Sequence, residues 1–250
     1  MKSPERMKNN MYILAIETTG PKCSAAVIDE HGQIAEISSE GTLNHLQDLT
    51  PMVAELLDNC ELNLADASAI AVSQGPGSFT GIRIGVSTAR AFCQACGLEA
   101  IAVPTLKAFA YHRDADCGII APMFDARREQ VFAGAYIWQD GEIVEVVSGD
   151  AYALSDFLDA VKDAANAYNI KEAIFFGDGC NKYGDKAKAY CDEAGMSCEI
   201  TGEVQRASSV VQLALDMYER GETVSYGQLK PDYMRKAEAE RKLEEKQAQK

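Results

Sequence analysis

Residues 73–85, Ser-Gln-Gly-Pro-Gly-Ser-Phe-Thr-Gly-Ile-Arg-Ile-Gly, restrict the backbone more tightly than any other stretch of the chain. An apolar strand, Ala69 to Val72, runs into a Gly-Pro-Gly turn, and a helix begins near Phe79. Strand, glycine turn and helix N-terminus leave several backbone N–H groups unpaired and aimed at one place, which suits a phosphate or a carboxylate. The same geometry suits a tight corner that needs a glycine at positive φ. Ser78 and Thr80 divide in the same way, as helix caps or as further anion donors. No Gly-Lys-Ser/Thr follows the glycines, so this is not a Walker A loop.

Along the helix after the turn, Gly81, Gly85 and Ala89 recur every fourth residue. Glycine costs about 1 kcal/mol relative to alanine in a helix interior, so the recurrence implies a close approach by another backbone. A preceding helix from about Asn44 carries Leu46, Leu49, Val53, Leu56, Leu57 and Cys60 on one stripe. Asn44 with Gln47 reads as a capping pair, and Pro51 as a kink or the true helix start. Joined through one strand, the two helices should share a sheet face. Their apolar surface exceeds what one sheet can bury, which predicts a contact between two related subunits. Leu49, Met52, Val53, Leu56, Ile82, Val86 and Ala89 are the expected contact residues. The small-residue groove either lies at the centre of that contact or serves the inner packing on the sheet.

The element order is β-β-β-α-β-α-β from Tyr12 to Val103 and restarts at Gly118, which predicts two related α/β lobes. Within the second half, Asp140-Gly141 reads as a hairpin turn and Ser155 as a helix cap. Asp125-Ala-Arg-Arg-Glu129 falls at a turn, read either as structure or as a polar cluster facing a partner. Phe176-Gly-Asp-Gly179 is the best candidate for a second phosphate loop, with only two glycines.

The chain has 250 residues and a formal charge of −14, so it is repelled from nucleic-acid backbone except at a local basic patch, and none is evident. No apolar run approaches the ~20 residues of a membrane span, and residues 1–10 read as a leader without the apolar region of a signal peptide. Of eight cysteines, Cys93 and Cys96 have CxxC spacing but lie within a helix with no second pair to complete a metal site, so the cysteines read as reduced and structural, which with no export signal predicts a cytoplasmic setting. The chain has three histidines, at 31, 45 and 112, and none forms an i, i+4 pair.

Three segments together resemble the bacterial TsaB (YeaZ) family: Tyr12-Ile-Leu-Ala-Ile-Glu-Thr-Thr19, Gly75 to Gly85, and Asp125-Ala-Arg-Arg-Glu-Gln-Val-Phe132. Pro231-Asp-Tyr-Met-Arg235 resembles that family's C-terminal motif, so the likeness runs from Met11 to about Arg235. It implies a two-lobed α/β fold of the actin/Hsp70/sugar-kinase (ribonuclease H-like) type, with mixed sheets flanked by helices. Residues 11–103 plus about 207–225 would form the N-terminal lobe, 104–206 a smaller second lobe, and 226–250 a tail. The resemblance also implies a non-catalytic role in forming N6-threonylcarbamoyladenosine in tRNAs that read A-starting codons. The implied partners are a homologous transferase subunit, TsaD, which holds the metal and ATP, and a small ATPase, TsaE. This chain would carry no cofactor or metal, would reach tRNA only through the complex, and would self-pair when alone.

The catalytic sibling carries a His-x-x-x-His metal motif. Aligned on it, this chain places Thr105 and Phe109 at the two histidine positions, and phenylalanine cannot ligate a metal. A vestigial nucleotide or anion site would comprise Glu17, Thr18, Gly75, Gly77 and Ser78. Glu17 is read alternatively as a strand-end carboxylate bonding turn amides. His112 stands alone near the lobe junction. The competing functions are an independent kinase or ATPase of the same superfamily, and a peptidase, for which no nucleophile–base constellation is visible.

Overall fold

The computed structural model describes residues 11–41, 44–113 and 117–234. The expected leader at 1–10 and the part of the tail from 235 onward lie outside the described residues. The first sheet holds β1 (Tyr12–Glu17), β2 (Ser24–Asp29), β3 (Ile34–Ser38), β4 (Ala69–Gly75) and β5 (Glu99–Pro104) in the order β3-β2-β1-β4-β5. The first three strands form the expected antiparallel meander, and β4 and β5 run parallel to β1. Helices α1 (His45–Asn59) and α2 (Phe79–Cys96) cover one face, as their shared β-α-β-α order requires. Helix α6 (Ala207–Glu219), from the far end of the chain, covers the other. Covering both faces explains why β1 and β2 are buried at every position, with none of the apolar–polar alternation of a one-sided sheet. The edge strand β3 does alternate.

The second sheet holds β6 (Ile119–Asp125), β7 (Gln130–Gln139), β8 (Glu142–Ala153), β9 (Glu172–Phe176) and β10 (Ser197–Ile200). Its order, β10-β9-β6-β7-β8, repeats the first sheet's topology strand for strand. Helices α4 (Leu154–Tyr168) and α5 (Gly179–Ala194) pack on one face. On the other lie α3 (Thr105–Ala108) and a 3-10 turn, Phe109–His112, neither of which the sequence periodicity suggested. Asp140 and Gly141 both take positive φ, 53° and 81°, as a two-residue hairpin turn requires.

Two caps differ from expectation. Asn44 precedes α1 without a side-chain cap bond: its backbone carbonyl instead accepts from the N–H groups of Gln47 and Asp48. Pro51 lies inside α1 and does not begin it. Ala153, not Ser155, precedes α4, and the Ser155 hydroxyl donates to Asp156. The Ser78 cap is formed as expected, accepting from Gly81 N–H at 3.3 Å.

Candidate functional site

The glycine turn lies between the β1–β2 loop, α2 and the C-terminal segment, and each contributes packed backbone. Gly75 and Gly77 have φ of 130° and 155°. A Cβ on Gly77 would stand 2.5 Å from Thr19 Cβ and 2.9 Å from its carbonyl oxygen, and one on Gly75 would overlap the carbonyl oxygen of Asp232. On α2, a Cβ at Gly81 would overlap the Thr18 carbonyl, and one at Gly85 the Thr18 hydroxyl. The backbone predicted to approach the small-residue groove is therefore the chain's own β1–β2 loop, seated on the first turns of α2.

Part of the corner's backbone is engaged by the protein itself. Ser78 N–H donates to Thr19 O at 2.8 Å, Gly75 N–H to Thr105 Oγ1 at 3.1 Å, and Ile82 N–H to Ser78 O at 2.9 Å. Thr18 Oγ1 donates to Gly81 O at 2.8 Å, tying the loop to the helix. Of the two readings of the Gly-Pro-Gly turn, the geometry is that of a close-packed corner.

Glu17 is fully buried and accepts from the Thr19 N–H, the Thr19 hydroxyl and the Ser73 hydroxyl. This is the turn-bonding carboxylate. Burial raises its pKa, and the three donors only partly offset that. Both of its carboxylate oxygens are thus engaged by local donors.

The C-terminal segment up to Met234 is packed against the rest of the chain. Leu229 is fully buried against the first sheet's core. Asp232 N–H donates to Gln74 O at 2.7 Å, and the Tyr233 ring lies 4.8 Å from that of Phe79. Met234 packs with Leu106 and the aromatic cluster of the second sheet. Residues 229–234 thus strap the glycine turn and reach both sheets. The Pro231-Asp-Tyr-Met motif was the available signal, but nothing in its composition says which turn it covers.

Thr105 and Phe109 are fully buried. Thr105 Oγ1 accepts from Gly75 N–H, and its carbonyl accepts from Gln205 Nε2 at 2.9 Å. Phe109 packs between His112, Phe124 and Phe176, with ring centroids 4.8, 5.8 and 5.7 Å away. His112 is buried, not solvent-exposed. Its Nδ1 lies 3.2 Å from Glu203 and its Nε2 2.8 Å from the Gln205 amide oxygen. Burial, the larger effect, holds its imidazole below the ordinary range although both neighbours pull it up. Arg113 joins the same network through Glu203 and Glu199, each at 3.0 Å, and lies over Phe176. These contacts bind the 3-10 turn to the segment leading into α6, so the two crossings between the sheets are cross-linked to each other.

The residues expected at a partner interface require correction. Leu49, Met52, Val53, Leu56, Ile82, Val86 and Ala89 are all 6% exposed or less and form the core between α1, α2 and the sheet. An amphipathic stripe points at the nearest apolar surface, and here that surface is the chain's own sheet. The outward faces carry Leu46, Thr50 and Ala54 on α1 and Phe79, Arg83, Ser87 and Ala91 on α2. Leu46 and Phe79 are among the few large apolar side chains left exposed, at 78% and 44%.

Gly177 and Gly179 show the same close packing as the first glycine turn: added Cβ atoms would lie 2.5 and 2.7 Å from Met123 O. All eight cysteines are free thiols, and no helix among the described residues is long and apolar enough to cross a membrane.

Comparison with known proteins agrees with this architecture. The family model described as "TsaD: tRNA N6-adenosine threonylcarbamoyltransferase" matches residues 34–243. The tRNA threonylcarbamoyladenosine biosynthesis protein TsaB of Bacillus subtilis (strain 168) is 33% identical, the match covering 95% of this chain and 100% of that protein. Its Escherichia coli (strain K12) namesake is 28% identical over 93% of this chain and 98% of its own length. The solved structure of YeaZ from Pseudomonas aeruginosa superposes with a TM-score of 0.72 at 26% identity, covering 89% of this chain and 99% of that one. With two topologically matched mixed sheets, the glycine corner and full-length relatives on record, the chain belongs to the TsaB (YeaZ) family of tRNA threonylcarbamoyladenosine biosynthesis proteins.

Proposed function

We propose that this chain is the non-catalytic partner subunit of the assembly that builds the threonylcarbamoyl group on N6 of the adenosine 3′ to the anticodon, in tRNAs reading A-starting codons. It docks onto a homologous transferase subunit of the TsaD type, which supplies the metal and ATP, and a TsaE-type ATPase joins the pair in the cytoplasm. The observation that carries this reading is the filled corner. The Ser78 and Gly75 N–H groups of the corner are here hydrogen-bonded to Thr19 and Thr105, with residues 229–234 strapped over the turn. A chain with its reactive corner packed by its own backbone is suited to docking, not to phosphoryl transfer.

The docking surface in this reading is the outward face of α1 and α2, where small side chains (Ala54, Ser87 and Ala91) let two further helices approach, flanked by Leu46 and Phe79. The same face supports a homodimer when the partner is absent. The test is reconstitution: the chain and its TsaD-type partner are purified separately, and adenosine modification is measured with each alone and with both plus the ATPase. Modification that needs this chain but is absent from this chain alone supports the reading. Modification or nucleotide turnover by this chain alone refutes it.

A further inference from the structure

The turn between β6 and β7 places three consecutive residues in the left-handed region, and none is glycine: Arg127 at φ 65°, Arg128 at 53° and Glu129 at 58°. A side chain disfavours that conformation and glycine does not. Glycine takes this region at position 32 (φ 74°), 97 (71°) and 195 (70°), and isolated non-glycine residues do so at Glu61, Asp140 and Asn169, whereas here three such residues are consecutive. The strained turn is held by a rigid frame. Ala126 N–H donates to Gln130 O and Gln130 N–H to Arg127 O, both at 3.0 Å, and Leu154 N–H donates to Glu129 O at 3.1 Å. Asp125 accepts from Arg127 N–H at 2.8 Å, from Lys182 at 3.2 Å and from Tyr183 at 3.0 Å, while its own N–H donates to Asp178. The frame lies at the C-terminal ends of the parallel strands β6 and β9, the edge at which open α/β sheets present their ligands.

Charge at this edge is unbalanced. Lys182 is paired with Asp125, and Lys186 with Glu129 at 2.7 Å. Arg127 and Arg128 are exposed, and neither guanidinium has an ion-pair or hydrogen-bond partner among the described residues. Burial pushes the carboxyl of Asp178, which accepts from Asp125 N–H, toward the neutral form. Two consecutive arginines without a partner among the described residues are therefore exposed on a chain of net charge −14, in a conformation that favours glycine. Arginine's planar fork matches phosphate oxygens, and strain of this kind concentrates where a side chain is needed for binding.

We propose that Arg127 and Arg128 form a phosphodiester-binding site through which this subunit contacts the backbone of the tRNA in the assembled complex. The proposal rests on the functional reading above and sharpens it: the subunit touches RNA directly, at one local cationic point, while the rest of its acidic surface is repelled.

The experiment measures binding of labelled, unmodified tRNA to the complete complex by fluorescence anisotropy across a salt series. Arg127→Ala/Arg128→Ala should weaken binding about tenfold or more at low salt. It should also flatten the dependence of log affinity on log salt by about 1.4–1.8, the loss of two phosphate contacts. Arg127→Gly/Arg128→Gly should lose the same affinity and yet raise the melting temperature of the chain, because glycine relieves the strain. Unchanged affinity and slope overturn the proposal, as does a lower melting temperature for the glycine variant, which would make the arginines structural. Loss of subunit co-elution with intrinsic tRNA affinity retained would make the turn a protein contact instead. Binding of ATP to the chain alone that disappears in the alanine variant would make it a nucleotide site. A parent complex that forms but binds no tRNA refutes the functional reading, and this site with it.

Discussion

Substituting Gly81 by alanine tests whether the β1–β2 loop dictates the small residues of α2. Helix propensity alone favours alanine at an interior position by about 1 kcal/mol. The added methyl would, however, overlap the Thr18 carbonyl oxygen and lie 3.1 Å from its carbon, and both atoms belong to backbone that cannot rotate away. Overpacking of this kind costs about 1–3 kcal/mol. Displacing the loop also breaks the Thr18 Oγ1–Gly81 O bond, about 1 kcal/mol more. The expected outcome is a net loss of roughly 1–3 kcal/mol. Gly184 in α5 is the internal control. Its added methyl would meet Ile200 Cγ2 at 2.8 Å, a single side-chain methyl on the short edge strand β10, which can shift by the few tenths of an ångström needed. Gly184→Ala should therefore stay within about 0.5 kcal/mol of the parent or exceed it. Urea unfolding of both variants at matched m-values reads the two signs directly. A Gly81→Ala protein as stable as the parent would show that the loop is not seated on α2 as described.

Four further outcomes follow from the same packing. Burial raises the Glu17 pKa, so its contribution to stability is fully present below the unfolded carboxylate's range and is lost as pH rises through the raised folded value. Glu17→Gln, which mimics the protonated form, should flatten that part of the urea midpoint–pH profile, and a variant that keeps the parent's slope assigns it to another group. Met52→Glu places a charge in the core and should cost on the order of 3 kcal/mol in urea unfolding. Ala54→Arg on the outward face should leave the melting temperature near the parent's and abolish co-elution with the partner subunit; the reverse pattern would put the interface elsewhere. Ending the chain after Lys230 removes the Asp232–Gln74 bond and the Phe79–Tyr233 stack, for a loss of about 1–3 kcal/mol by denaturation, and an unchanged midpoint would mean that the strap is not bound in solution.

Much of the architecture is legible because each cue is local. The repeated β-β-β-α-β-α-β order, the Ser78 cap, the Asp140-Gly141 hairpin and the bounds of α2 depend on neighbours within a few residues. The α3 and 3-10 segment at 105–112 escaped because so short a helical piece carries no periodicity to read. His112 escaped because its partners, Glu203 and Gln205, lie some ninety residues away and come to it only when the crossings between the sheets close.

The amphipathic stripes of α1 and α2 announce that an apolar surface will cover them, but sequence periodicity is the same whether that surface is the chain's own sheet or another subunit. Hydrophobic burial has no direction of its own. The choice came from topology, which brings β1, β2 and β4 beneath Leu49, Met52, Val86 and Ala89 and leaves Ala54, Ser87 and Ala91 outside. The glycine turn carries the same lesson. Its composition guarantees a tight approach, yet whether a phosphate or a backbone makes that approach depends on Thr18, Thr19 and Asp232, which long-range folding delivers to the spot. Local chemistry specified the vacancy, and chain topology supplied its occupant.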